Sequence, residues 1–195
     1  MKNYLFLMQT LIVLSLLLAA GCKKDDPKDT NTSAPYAIGD RYNENGITGV
    51  VYQITAGGMH GMIVSKTETE CKWSTVYEVT GATDQVNGMN NMNKIKAIAG
   101  WESKYPAFKW CNDFNTGSIS GWCLPAKDEL NALYTNQTIV NATLTQYGGA
   151  QIVSDHYWNS SEGGASNAYG QIFTNGSQFN SYKDSNRGVR AVRAF

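Results

Sequence analysis

The chain has 195 residues, with 16 basic side chains against 16 acidic ones. That balance excludes the basic footprint that a nucleic-acid partner requires. Eleven Tyr, five Trp and nineteen Gly point to a loop-rich aromatic fold with little regular helix, and no repeat of fixed period is present.

Residues 1–21 read as a secretory signal: Lys2 supplies the charge, LFLMQTLIVLSLLLAA the apolar run, and small residues lead up to Cys22. The run is too short, and too soon followed by CKKDDPKD, for a spanning helix. LAAGC resembles a bacterial lipoprotein signal, with Ala19 where Leu is usual, which implies that Cys22 becomes the acylated first residue of the mature protein. KKDDPKD resembles the short acidic sequence that sends some Gram-negative lipoproteins to the outer face of the outer membrane; the bland alternative is a charged, solvated tether. These resemblances imply a lipid-anchored outer-membrane protein facing the cell exterior and touching the membrane through its lipid alone. The expected organisation is a signal peptide at 1–21, a flexible tether at 22–35 and one ligand-binding domain at 36–195, long enough for a sizeable core.

Along that domain, GVVYQI and HGMIVS flank TAGGM and predict two short strands around a glycine turn. Met89, Met92, Ile95 and Ile98 then recur at helical spacing. A second helix is expected from Pro106, where a missing N–H costs nothing, with Ala107, Trp110, Cys111 and Phe114 on its buried side. A third follows LPAKDELNALY, with Pro125 in the first turn, Asp128 and Glu129 at the positive end of the helix dipole, and Leu130, Leu133 and Tyr134 inward. Residues 138–146 add a short helix ended by Gly148 and Gly149. Past His156 the helical period stops, and YWNSS, AYGQIFT, SQFNSYK and VRAVRAF read as four strands. Asn175-Gly176 is a two-residue hairpin signal between the middle pair.

Outside the cytoplasm Cys71, Cys111 and Cys123 can oxidise; with Cys22 assigned to lipid, three pairings remain and the spacing does not choose among them. None of the spacings reads as a zinc site, since CNDFNTGSISGWC contains no His.

GWCLPAKDELNALY, YWNSSE and VRAVRAF, in that order, resemble the domain at the C-terminus of a bacterial collagen-like adhesin and of many surface proteins. Its pattern is G-W-x-L-P before an acidic helix, then Y-W-S-S-E, then V-R-x-V-R. The resemblance implies an α+β, C-type-lectin-like fold related to the formylglycine-generating enzymes: a small twisted antiparallel sheet, two to three helices and long loops holding the ligand face. It also implies a Cys71–Cys111 disulfide, with Cys123 buried as a small apolar residue where relatives carry a larger one. Trp122 and Trp158 are expected in the core. Arg190 and Arg193, on opposite faces of a strand covered on both sides, are expected to pair with buried carboxylates such as Glu129 and Glu162.

Residues 157–188 hold five Asn, six Ser, three Tyr and five Gly, a composition favoured in antibody combining loops; the same residues also make ordinary turns. Phe179 and Tyr182 lie among polar neighbours without a core period, and Gly170, Ile172 and Thr174 alternate with Tyr169, Gln171 and Phe173. AYGQIFTNGSQFNSYKDSNRGVRAVRAF resembles the variable region of proteins diversified by diversity-generating retroelements, in which asparagine codons are rewritten at adenines. The resemblance implies a fixed frame at Ala168, Phe173, Gly176, Lys183 and the VRAVR strand. Rewritten places would fall on Gly170, Ile172, Thr174, Ser177, Phe179, Asn180, Ser181, Tyr182, Asp184 and Ser185, all reachable from AAC or AAT by changing adenines alone. The candidate ligand-binding residues are Asn159, Tyr169, Gly170, Ile172, Thr174, Ser177, Phe179, Asn180, Ser181, Tyr182 and Asp184.

Ser154, Asp155 and His156 are adjacent and so do not assemble a triad, which draws on distant segments. Cys111 and Cys123 are the stand-ins for formylglycine-type chemistry, with nothing around them suited to substrate oxidation. The Glu-Pro-Asn and Trp-Asn-Asp signatures of calcium-dependent sugar binding are missing. The expectation is a surface lipoprotein without catalytic, metal or cofactor residues, binding protein or glycan through its C-terminal sheet and loops. The alternatives are a structural or adhesive envelope component and, less favoured, a formylglycine-generating-type enzyme.

Overall fold

A computed structural model describes residues 35–195; the signal peptide, Cys22 and the tether up to residue 34 lie outside the described residues. The domain is α+β, built on two five-stranded sheets. In the first, β1 (Arg41–Glu44), β2 (Ile47–Thr55), β3 (His60–Val64), β10 (Val192–Ala194) and β5 (Trp122–Cys123) lie in that order. In the second, the order is β4 (Thr69–Lys72), β9 (Asn186–Val189), β6 (His156–Glu162), β7 (Asn167–Ile172) and β8 (Gln178–Tyr182). Every paired strand runs antiparallel except β6 and β9, joined in parallel at Tyr157 and Gly188. The single antiparallel sheet expected from the sequence is therefore corrected to two sheets with one parallel pair.

The closing segment explains the division. VRAVRAF is not one strand: β9 ends at Val189 in the second sheet and β10 begins at Val192 in the first, and the chain crosses between them at Arg190. Val189, Ala191 and Val192 are buried, but Ala194 is exposed, so the strand is not covered on both faces to its end. The Arg190 side chain is buried. Its Nε donates to Glu68 Oε2 at 2.9 Å, and its terminal nitrogens donate to the carbonyls of Ser65, Ala150 and Gln151 at 2.6–2.9 Å. Neither arginine takes the carboxylates expected for it: Arg190 pairs with Glu68, and Arg193 donates to the Ser120 and Ala194 carbonyls. A guanidinium at a crossing point meets whichever loops converge there, and these are distant in sequence.

Helix α1 (Gly88–Lys96) starts where Asn87 accepts hydrogen bonds from the N–H groups of Met89 and Asn90, and it buries Met92 and Ile95. Two short helices follow, α2 (Trp101–Lys104) and α3 (Pro106–Asn112), with Pro106 in the first turn of α3. In α4 (Lys127–Thr135), Glu129 Oε2 accepts from Ala126 N at 2.7 Å and Gly88 N at 3.1 Å, so one carboxylate ties the starts of α4 and α1 together. Gly88 has to be glycine for this contact, because a Cβ there would lie 2.3 Å from the Leu124 carbonyl oxygen. Pro125 precedes α4 and is not in its first turn. The last helix is α5 (Gln137–Gln146).

Between the sheets and helices, Trp73, Tyr105 and Phe108 meet edge to face, with ring centroids 4.9–6.2 Å apart, and all three are fully buried. Trp122 and Trp158 are also buried. Cys71, Cys111 and Cys123 are free thiols, so the expected Cys71–Cys111 pairing is not made. Cys111 Sγ instead lies 3.9 Å from the Arg190 carbonyl oxygen, and burial pushes the Cys111 and Cys123 thiols well above their ordinary range.

Candidate functional site

The site residues converge on the hairpin of β7 and β8 at one end of the second sheet. Its register pairs Tyr169 with Asn180 and Gly170 with Phe179. The connection is longer than the two-residue turn expected at Asn175-Gly176. Residues 173–176 lie between Ile172 and Ser177, which are joined by an N–H to C=O bond of 2.8 Å, and Gly176 closes the loop at φ 80°. Gly176 also lets the loop touch Tyr134, whose ring would lie 2.5 Å from any Cβ there.

The residues implied as a fixed frame hold this hairpin to the core. Ala168 and Phe173 are buried, Phe173 packing on Tyr134 and Tyr157 with centroids 5.5 and 4.6 Å away. Lys183 is fully buried: its Nζ lies 2.5 Å from Glu162 Oε1, 2.8 Å from the Glu78 carbonyl oxygen and 4.7 Å from the Trp73 ring centroid. Burial pushes the Lys183 ammonium below its ordinary pKa, against the opposing pull of Glu162. Glu162 thus serves Lys183 rather than an arginine, and its oxygens also accept from Thr80 N and Gly81 N at 2.9–3.1 Å.

Thr174, Ser177, Asn180, Tyr182 and Asp184 are exposed, whereas Ile172, Phe179, Ser181 and Ser185 are half-buried. Tyr182 keeps 62% of its surface in water. Phe179 lies over Trp158 and His156 at centroid distances of 5.7 and 5.2 Å, with the Arg187 guanidinium 5.7 Å from its ring. Tyr169 is half-buried and faces Lys127 Nζ at 5.6 Å.

Two expected contact residues are corrected. Gly170 is buried beneath Phe179, its α-carbon so close that a Cβ would lie 2.3 Å from the ring and 2.4 Å from the Tyr157 carbonyl oxygen. Asn159 is also buried: its carbonyl accepts from Trp73 Nε1 at 2.9 Å and its side chain from Ser161 N. Residues 157–162 of β6 are all buried, and Asn159 is covered with them, its backbone carbonyl turned to Trp73.

Tyr77 belongs to this face although its neighbourhood carried no periodic signal. It is 56% exposed, and the nearby Asp184 carboxylate pushes its phenol above the ordinary value. The strap bearing it is pinned by Lys183 Nζ on Glu78 O and by Ser74 N–H on Lys183 O. A cleft of about 220 Å³ opens beside Phe179, lined by Glu70, Asp155, His156, Asn186 and Arg187. Arg187 Nε is buried there without a hydrogen-bond partner among the described residues. His156 Nδ1 lies 3.2 Å from Asp155, and Ser154 spends its N–H on Tyr157 Oη. A larger cleft of about 670 Å³ lies elsewhere, between Gly81, Asp84 and α1 residues Asn90, Asn93 and Lys94. Among the described residues, no group of three or more His, Cys, Asp and Glu side chains could hold a metal ion, and no helix is long and apolar enough to cross a membrane.

A mixed domain of two sheets that holds a rigid hairpin, polar and aromatic on its open side, is the class defined by this geometry. Residues 48–193 match the Lcl C-terminal domain family, and the chain belongs to that family. No curated protein matches the sequence. Among solved structures the fold is similar to a fimbrial protein from Bacteroides ovatus ATCC 8483, with a TM-score of 0.66 and 17% sequence identity over 82% of this chain. The likeness covers 49% of that protein, so this chain spans about half its length.

Proposed function

We propose that this chain is a surface-displayed lipoprotein, anchored in the outer membrane through Cys22, whose C-type-lectin-like domain binds a protein or glycan through the β7–β8 hairpin and the Tyr77 strap. It is a binding module and not an enzyme. The observation that supports this reading is the division of labour in residues 168–185. The frame positions Ala168, Phe173 and Lys183 are sealed in the core, whereas nine of the ten places implied as rewritten are exposed or half-buried, Gly170 being the exception. Side-chain changes at Ser177, Asn180 and Tyr182 alter the surface while Ala168, Phe173 and Lys183 stay sealed; Phe179, packed on Trp158 and His156, is the place among the nine that also supports the core. Tyr77 and Tyr182 would act as aromatic anchors within a polar surround of Asn, Ser and Thr, whereas Phe179 lies on the opposite face of β8 beside the cleft at His156 and Arg187.

The test has two parts. Glycan and protein arrays probed with the native chain should give a ligand whose binding is lost in the double variant Tyr77→Ala and Tyr182→Ala, with the circular dichroism spectrum unchanged. Sequencing around the gene should find a near-copy of its 3′ end differing at adenines, beside a reverse transcriptase. Finding neither removes the diversification layer.

A second reading is favoured by one observation, the fold shared with a fimbrial protein: a structural or adhesive envelope component in which the same surface is merely solvated. In that case the double variant leaves surface assembly and adhesion unchanged.

A further inference from the structure

The two sheets expose four edge strands. β1 carries Arg41 and Glu44, β4 carries Glu70 and Lys72, and β5 is two residues long. Charged or very short edges resist pairing with another chain. β8, QFNSY, is five residues long with neither a charge nor a proline.

Its main-chain polarity follows from two hydrogen bonds. Ile172 N–H donates to Ser177 O and Lys183 N–H to Ser166 O, and both pairs continue the β7–β8 register. Alternation then makes Phe179 and Ser181 the residues that bond to β7. The N–H and C=O groups of Gln178, Asn180 and Tyr182 point away from the sheet. Among the described residues only one of these groups has a backbone partner: Tyr182 O accepts from Ser185 N at 3.1 Å.

We propose that β8 is a homotypic interface, in which two copies of this chain pair their β8 strands antiparallel about a two-fold axis at Asn180 and join two sheets into one. The register is self-complementary. Asn180 falls opposite Asn180 of the other copy and Gln178 opposite Tyr182, and the outward groups of both strands meet at all three pairs. The strand carries no charge, so the axis brings no like charges together. An unrelated peptide would need no such symmetry, whereas here the open positions lie evenly on either side of one central residue. The side chains of Gln178, Asn180 and Tyr182 share one face, so the dimer sets two candidate recognition faces side by side. The inference uses the main chain of β8 and does not rest on ligand recognition by its side chains.

Sedimentation of the full-length chain in mild detergent tests it, over concentrations up to about 100 μM, alongside Asn180→Pro and Asn180→Lys. Proline removes an N–H that β7 does not use, and lysine places two like charges at the axis. The native chain is expected to dimerise, and both variants to associate about tenfold more weakly or worse, with unchanged circular dichroism. If the proline variant fails to fold, the lysine variant carries the test. A native chain that stays monomeric throughout overturns the proposal, as does a dimer that survives the lysine substitution. A monomer that instead captures an added extended peptide overturns it in favour of simple strand addition.

Discussion

Lys183 Nζ lies 2.5 Å from Glu162 Oε1 with both side chains withdrawn from water, and this pair joins the end of the β7–β8 hairpin to the strap at 77–81. Burying two charges is costly, so the contact contributes less to stability than to position. It fixes the Tyr77 strap and the β8 strand relative to one another.

Removing one partner leaves the other charge buried. Lys183→Met is expected to lower stability by about 3–5 kcal/mol, read from the denaturant midpoint. Adding Glu162→Gln removes the stranded charge while an amide oxygen still accepts from Thr80 and Gly81, so the double variant should recover part of the loss.

Phe179 and Tyr182 are expected to separate. Tyr182→Ala should leave stability within about 0.5 kcal/mol, since that side chain is largely in water. Phe179→Ala strips the cover from Trp158 and His156 and should cost about 2 kcal/mol. Urea titrations of the two variants check this.

Gly170 and Phe179 should be coupled. Gly170→Ala drives a methyl group into the Phe179 ring and the Tyr157 carbonyl, at an expected cost of about 1–3 kcal/mol. In a Phe179→Ser background the ring is gone and only the carbonyl clash remains, so the same substitution should cost about 1 kcal/mol less. A double-mutant cycle measures the difference; additive effects would show that the ring moves aside freely.

Cys71 should be a sluggish thiol. Burial, and then the neighbouring Glu70 carboxylate, push it up to about 11 from an ordinary 9.0. Alkylation of the native chain should therefore accelerate only as pH approaches about 11, followed by mass spectrometry of the Cys71 peptide. The linked stability has a definite sign. The unfolded thiol ionises first, so this contribution is full below pH 9.0 and is lost as pH rises through about 11.

Arg190 is the other joint, holding the crossover between sheets to the 65–68 and 150–151 loops. Arg190→Lys keeps the charge but cannot reproduce a planar fork serving three carbonyls and Glu68. A loss of about 3 kcal/mol or more is expected in thermal or urea unfolding.

Local elements were legible in the sequence because their causes are local. The apolar stripe of α1, Pro106 at the start of α3 and the strand pattern of β7 each depend on residues a few positions apart, although Gly170 and Gln171 are both buried and break the expected alternation. The exposure of Asn180 and Tyr182 follows from polar composition in the same way. Tertiary structure alone decided which sheet each half of VRAVRAF joins, because a strand's own pattern does not name its neighbours. It also matched Arg190 with Glu68, 122 residues away, left Cys71 and Cys111 unpaired, hid Asn159 against Trp73, and brought Tyr77 to the hairpin. In each case the deciding contact is made between segments far apart in the chain, and no periodicity within either segment encodes the meeting.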